Sequence, residues 1–160
     1  MRPIRRIYVH CSASEWGTVE EVTRWHIERG FDTIGYHALI TNQFPTYRHY
    51  KDCTGISAYD GKVWPGRDEA EVGAHVKAAN RDSLGICLVG NEAFSSKQVD
   101  ALVAWCVQKC LQYGLVSDSV RGHCEWWTDQ GLAPSKSCPN LPCSDLRKRI
   151  AAHMLQATIA

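Results

Sequence analysis

Three side chains of types that bind zinc lie far apart along the chain, at His10, His123 and Cys138. A catalytic zinc takes three nitrogen, sulfur or oxygen ligands from the protein and keeps a fourth position open for water. Rigid strands and the loops beside them fix the directions of such ligands. Taken singly, each residue has an ordinary alternative role, as a hydrogen-bonded structural histidine or a buried thiol.

The strands that must position these side chains are predicted from short β-branched and apolar runs bounded by turn residues. The first run ends at His10, and the last one closes at Val120, just before His123. The turn Asp60-Gly61 leads into a third run. The predicted strands cover residues 4–9, 35–40, 62–64 and 84–89, with a short strand at about 120.

Helix starts and stops are also visible in the sequence. Thr18 followed by Glu21, and Ser95 followed by Gln98, are capping-box patterns. Ser144 is a plausible cap for a last helix. These signals predict helices over about 19–29, 96–113 and 144–156, and hence one α/β domain over residues 1–160.

Composition limits the function classes. The chain of 160 residues is 44% hydrophobic and 22% charged, which excludes a disordered chain. Its 18 Lys and Arg against 17 Asp and Glu leave a net charge of +1, so a nucleic-acid partner is not expected. The sequence has no run of 18 apolar residues, so no membrane span is predicted. The start of the chain does not have the pattern of a signal peptide, which predicts a protein that is kept in the cytoplasm or is released by a route that the sequence does not show.

Six short segments occur in an order that resembles a known family. They are IYVHCSAS at 7–14, IGYH at 34–37, VGAHV at 72–76, SLGI at 83–86, RGH at 121–123 and KSCP at 136–139. Together they resemble the zinc-dependent N-acetylmuramoyl-L-alanine amidases of the phage-lysozyme type, which share a fold with peptidoglycan recognition proteins. The resemblance spans about residues 5–146 and implies a central mixed β-sheet flanked by helices.

The resemblance also implies a set of site residues. His10, His123 and Cys138 match the zinc ligands of the family, one zinc ion per chain. Tyr36 and Lys136 match its active-site tyrosine and lysine. The phenol of Tyr36, with an ordinary pKa of about 10, is suited to donate an orienting hydrogen bond at neutral pH. The ammonium group of Lys136 can stabilise a developing oxyanion.

Two further residues are expected beside the substrate. His75 matches a family position near the cleft, where it would contact substrate or support the ligands, and Asn80 is expected to help shape the cleft. Arg67 is expected to form a structural pair. His37 should point away from the face that Tyr36 occupies, because side chains alternate along a strand.

Two stretches depart from the family pattern. The connection over 41–60 is long and carries aromatic residues that could line a glycan-binding cleft or pack over the sheet. The stretch over 124–137 is also extended and includes Trp126 and Trp127, which could stack on sugars or form a local core. Both stretches bear on substrate preference more than on the metal site.

The function expected from the resemblance is cleavage of the bond between N-acetylmuramic acid and L-alanine in bacterial peptidoglycan. The enzyme would be a monomeric phage or prophage endolysin, held in the host cytoplasm until its release to the cell wall. A peptidoglycan-binding module without activity is one alternative, and a cysteine hydrolase using Cys138 with His123 is another. A third is an amidase that also inhibits a phage RNA polymerase through Arg2, Arg5 and Arg6.

Overall fold

The computed structural model describes residues 2–159 and contains a five-stranded sheet of order β3-β2-β4-β1-β5. The interior strand β1 pairs in parallel with β4 on one side and with β5 on the other. β2 is parallel to β4, and β3 is antiparallel to β2, so the sheet is mixed as predicted. The strands are β1 (Arg6–Cys11), β2 (Ala38–Ile40), β3 (Val63–Pro65), β4 (Ser83–Leu88) and β5 (Val120–Gly122).

Helices flank this sheet, and two of the predicted caps are present. The hydroxyl of Thr18 accepts a hydrogen bond from the backbone of Glu21. Ser95 and Gln98 form a reciprocal capping box. No helix within residues 2–159 combines the length and the apolar character needed to cross a bilayer. The helices are α1 (Val19–Glu28), α2 (Tyr47–Lys51), α3 (Ser96–Tyr113), α4 (Glu125–Asp129) and α5 (Cys143–Ile159).

The two faces of the sheet are packed differently. One face carries the larger core, a buried cluster that Ile7 and Val9 of β1 share with Leu102 and Cys106 of α3 and with Ile150 of α5. The other face is covered by α1 through a smaller cluster of buried residues that includes Val22, Leu39 and Cys87. Because strand residues alternate between faces, His10 lies on the α1 side, next to its register partner Cys87.

Several element boundaries differ from the sequence-based prediction. β1 continues to Cys11, so His10 lies inside the strand, because the ladder with β4 extends to Leu88. Tyr36 and His37 precede β2, since their carbonyls accept hydrogen bonds from the loop after β3. α5 begins at Cys143, so Ser144 is not its cap. The short helices α2 and α4 lie in stretches predicted as loops.

The basic start of the chain is partly folded onto the body. The guanidinium of Arg2 donates to the backbone carbonyls of Glu69, Asn80, Arg81 and Ser83 at 2.9–3.3 Å. The side chain of Arg2 is therefore anchored to the folded backbone, whereas Arg5 and Arg6 are exposed.

Candidate metal centre and cavity

Two neighbouring parallel strands bring His10 and His123 together. The backbone N–H of His123 donates to the carbonyl of Val9 at 3.0 Å, which extends the β1–β5 ladder beyond Gly122. The two imidazole rings lie with their centroids 4.6 Å apart. His10 is almost completely buried, at 1% exposure, while His123 is half-buried. The parallel register therefore determines this half of the site.

Cys138 reaches the same place from a loop. The carbonyl of Cys138 accepts a hydrogen bond from the backbone of Cys124 at 2.8 Å. Its sulfur accepts one from the backbone N–H of Cys11 at 3.3 Å, just beyond His10 on β1. These two contacts attach the loop to β1 and to the residues directly after β5, where the two histidines lie.

The three ligand atoms fit a zinc ion. One atom each from His10, His123 and Cys138 lies within 4.8 Å of the other two. The Nδ1 atom of His10 and the sulfur of Cys138 are 3.9 Å apart. Zinc–nitrogen and zinc–sulfur bonds of about 2.0 and 2.3 Å at a tetrahedral angle would separate such atoms by roughly 3.5 Å. Two imidazoles and one thiol are ligand types that zinc binds, and three protein ligands leave the fourth position open, as in catalytic sites.

The protonation states suit metal binding. Burial lowers the pKa of His10 well below its ordinary value and lowers the pKa of His123 to about 4. Both imidazoles are therefore neutral at neutral pH, with a lone pair to offer. The hydrogen bond with the Cys11 thiol is the larger cause, and burial the second, of a raised pKa at Cys138. The sulfur of Cys138 therefore keeps its proton as long as no cation binds it. A coordinating dication deprotonates such a thiol.

The structure brings Tyr36 to the same site. Its ring lies 5.0 Å from the His10 ring and 5.1 Å from the His26 ring, measured between centroids. Burial raises the pKa of the Tyr36 phenol well above its ordinary value, so the hydroxyl stays protonated and can act as a donor.

A cavity of about 830 Å³ opens beside the metal ligands. Lys136 lines it, and the positive charge of Lys136 contributes to the lowered pKa of His123. His75 and Asn80 line it as well, and the Asn80 side chain accepts the backbone N–H groups of His75 and Val76 at 2.9 and 2.8 Å. All seven predicted site residues therefore lie in or beside one region.

Two residues of this region were not assigned from the sequence. Trp127 stacks on the ring of His123, with centroids 5.1 Å apart and an angle of 27° between the planes. Phe31, just after α1, lines the same cavity. The Trp126-Trp127 pair was visible in the sequence, but its place required the position of α4. No sequence signal marked Phe31.

Other candidates lie elsewhere or have structural roles. The Nδ1 atom of His37 accepts from the backbone of Gly85 at 2.9 Å, so His37 is not a ligand. Arg67 donates to the carbonyls of Ile34 and Val72 and pairs with Asp32, as expected for a structural arginine.

The aromatic residues of 41–60 do not line the cavity beside the metal ligands. Phe44 packs on Tyr50, and Tyr59 packs on Trp64.

Comparisons with solved structures define the fold class. The amidase LysC from Clostridium intestinale URNW superimposes with a TM-score of 0.72 at 22% identity, covering 93% of this chain and 86% of LysC. The peptidoglycan recognition protein SD of Drosophila gives a TM-score of 0.61 at 22% identity, covering 87% of this chain and 76% of that protein. The predicted fold is therefore confirmed.

Comparisons of sequence define the family. The model of the N-acetylmuramoyl-L-alanine amidase family matches residues 1–141. The endolysin of Klebsiella phage KP32 is 36% identical over 119 residues, which is 68% of each chain. The chain belongs to the N-acetylmuramoyl-L-alanine amidase family, and the prediction of a phage-type peptidoglycan amidase is confirmed.

Proposed function

We propose that this chain is a zinc-dependent amidase that cleaves the bond between N-acetylmuramic acid and L-alanine in bacterial peptidoglycan. The observation that carries the proposal is the convergence of His10, His123 and Cys138, whose ligand atoms lie within 4.8 Å of one another beside a cavity. A zinc ion bound there would polarise the amide carbonyl and lower the pKa of water from 15.7 towards about 7.

The protein's own groups then have distinct tasks. The ammonium group of Lys136, at the wall of the cavity, stabilises the negative charge that develops on the carbonyl oxygen during attack. The protonated phenol of Tyr36 donates a hydrogen bond that orients the carbonyl or the attacking water. Both groups act by position and charge, and the protons that the departing amine gains are those that the attacking water loses.

The cavity is suited to the peptide side of the substrate. Its apolar wall includes Phe31, Trp126 and Trp127, and Lys77 and Lys136 add positive charge. A stem peptide has both small apolar side chains and carboxylate groups, which match these two kinds of lining. We assign His75 and Asn80 to this substrate-binding region, with Asn80 holding the backbone at His75 in place.

The biological setting is that of a phage endolysin, as the name of the KP32 relative indicates for that protein. Such an enzyme would remain in the host cytoplasm until it is released to the wall, and it would act as a monomer. The further prediction of an RNA polymerase partner stays a prediction, and the backbone contacts of Arg2 leave Arg5 and Arg6 as the exposed basic residues for it.

We also propose that residues 1–160 act as one zinc amidase domain. The family model ends at residue 141, before α5. Leu146 and Ile150 of α5 are nevertheless buried in the same core as Leu102 of α3 and Val9 of β1. Deleting α5 would expose that core, so α5 is expected to be required for folding.

The decisive experiment combines metal analysis with product analysis. Purified protein is incubated with muropeptides, with and without a zinc chelator, and the release of free stem peptide is followed by mass spectrometry. We expect about one zinc ion per chain and zinc-dependent release. Binding without release would identify a peptidoglycan-binding module. Release that survives chelation but not a thiol reagent would identify a cysteine hydrolase.

A further inference from the structure

His75 contacts the proposed ligand His10 at the ring nitrogen of His10 that does not face Cys138. The Nδ1 atom of His75 lies 3.1 Å from the Nε2 atom of His10, with the two rings nearly perpendicular at 84°. The other ring nitrogen of His10, Nδ1, faces the sulfur of Cys138 at 3.9 Å. The imidazole of His10 therefore lies between the ligand cluster and His75.

This geometry couples the tautomers of the two rings. A neutral imidazole has one protonated nitrogen and one nitrogen with a free lone pair. If Nδ1 of His10 is to bind a metal, its proton must be on Nε2, which then donates to Nδ1 of His75. If His75 were instead the donor, the proton of His10 would move to Nδ1 and block the ligand position.

The arrangement leaves one polar atom without a partner. When Nδ1 of His75 accepts, the proton of His75 is on Nε2. That atom is buried and has no hydrogen-bond partner among residues 2–159. A buried polar group without a partner costs about 1–3 kcal/mol, so a purely structural role does not account for an imidazole here.

The surrounding fold is shaped to hold His75 in this position. The side chain of Asn80 accepts the backbone N–H of His75 at 2.9 Å. Gly85 of β4 lies under the ring, where an added Cβ would approach the Cγ atom of His75 to 2.6 Å. A residue with a side chain at position 85 would therefore clash with the ring of His75.

We infer that His75 is a positioning residue for the metal centre, because it accepts a hydrogen bond from His10 and holds that ring with Nδ1 towards the ion. The inference rests on the proposed zinc site and adds to it the residue that sets the tautomer of a ligand. Hydrogen-bond partners of this kind orient metal ligands, and their loss typically weakens metal binding by 10–100-fold.

The first test measures zinc affinity by competition with a chromophoric chelator. We expect His75→Ala to weaken zinc binding by about 10–100-fold. His75→Gln, whose side-chain oxygen can accept from His10, should restore much of that loss. His153→Ala, on the exposed part of α5, is the matched control for loss of a histidine and should bind zinc like the wild type. Unchanged affinity in His75→Ala, with only a raised KM, would overturn the inference.

The second test reads the tautomers directly and does not depend on a variant that folds. Long-range ¹H–¹⁵N spectra of the zinc-loaded wild-type protein should show His10 and His75 both protonated at Nε2. A His75 ring protonated at Nδ1 would overturn the inference alone. Failure of the wild-type chain to bind zinc would overturn the proposed function together with it.

Discussion

The two halves of the candidate metal centre are held in different ways. His10 lies within β1, an interior strand with parallel neighbours on both sides, and is 1% exposed. The segment over 123–142 begins at the edge strand β5 and includes the exposed residues 131–137. One half of the site is therefore part of the core, and the other is a surface segment attached to it.

The segment over 123–142 is held by contacts that the interior strand β1 does not need. The carboxylate of Glu125 in α4 accepts hydrogen bonds from both terminal nitrogens of Arg147, at 2.8 and 2.9 Å, and one from the backbone N–H of Gly122. Arg121 pairs with Asp129 at the end of the same helix. Charge pairs thus take the place of strand packing in this segment, and a zinc ion held by His123 and Cys138 would add a further link to β1.

Metal removal is expected to give the largest difference between the halves. A chelator should abolish release of stem peptide and raise amide hydrogen exchange over 123–142, while β1 stays protected by its strand partners. Zinc present at 1,000 times its dissociation constant would add about 4 kcal/mol to the free energy of unfolding. Exchange is measured by mass spectrometry with and without the chelator.

The matched variant is Cys138→Ala, which removes a ligand on the segment over 123–142. Its exchange should equal that of the chelated wild type and should not change further with chelator. Equal increases of exchange in β1 and in 123–142 would show that the two halves are not held differently.

Catalytic groups from the two halves should have similar effects on turnover. Tyr36→Phe and Lys136→Met each remove one group expected to stabilise or orient the reacting carbonyl, so kcat should fall by about 10²–10³-fold with zinc content unchanged. Steady-state kinetics and metal analysis check this together. Lys136→Arg keeps the charge and should recover part of the rate. Full activity of Tyr36→Phe would remove this residue from the mechanism.

The ion pairs of α4 should contribute to stability at a smaller scale. Glu125→Gln removes the charge from a partly buried bidentate pair, and we expect the free energy of unfolding to fall by about 2 kcal/mol, as for hydrogen bonds to charged groups. Chemical denaturation measures the change. The control Asp145→Asn breaks the exposed pair with Lys148 and should change stability by less than about 0.5 kcal/mol. Equal effects in the two variants would contradict a special role for α4.

The smallest predicted effect is a dependence of stability on pH that comes from His26 of α1, the helix that covers the His10 side of the sheet. Burial lowers the pKa of His26 to about 4, and its Nδ1 atom accepts from the backbone of Gly35 at 2.8 Å. In the unfolded chain the pKa of histidine is about 6.5. As the pH falls, the unfolded chain therefore binds a proton at this residue before the folded protein does, and stability falls. Between pH 7 and 5.5 this single group should cost about 1 kcal/mol.

The variant His26→Asn isolates that contribution, because its side-chain oxygen can accept from Gly35 but does not titrate in this range. Its stability should fall by about 1 kcal/mol less than that of the wild type over the same interval. Denaturation curves at several pH values check this difference. Parallel pH dependence in both proteins would assign the titration to other histidines.

The sequence by itself determined the local elements and the types of ligand. Thr18, Ser95 and Gln98 act as caps because capping depends on residues only three positions apart. The order of motifs was enough to identify the family and to select His10, His123 and Cys138. Local patterns did not reveal α2 or α4, since helices of five residues have too few positions for a periodic signal.

Only the tertiary structure decided which atoms meet. The contact of His75 with His10, the backbone N–H of Cys11 on the sulfur of Cys138, and the stacking of Trp127 on His123 join residues from separate elements. Such contacts depend on strand register and on the course of loops, which no spacing along the chain specifies. The sequence supplied the chemistry, and the register of β1 between β4 and β5 placed it at one point.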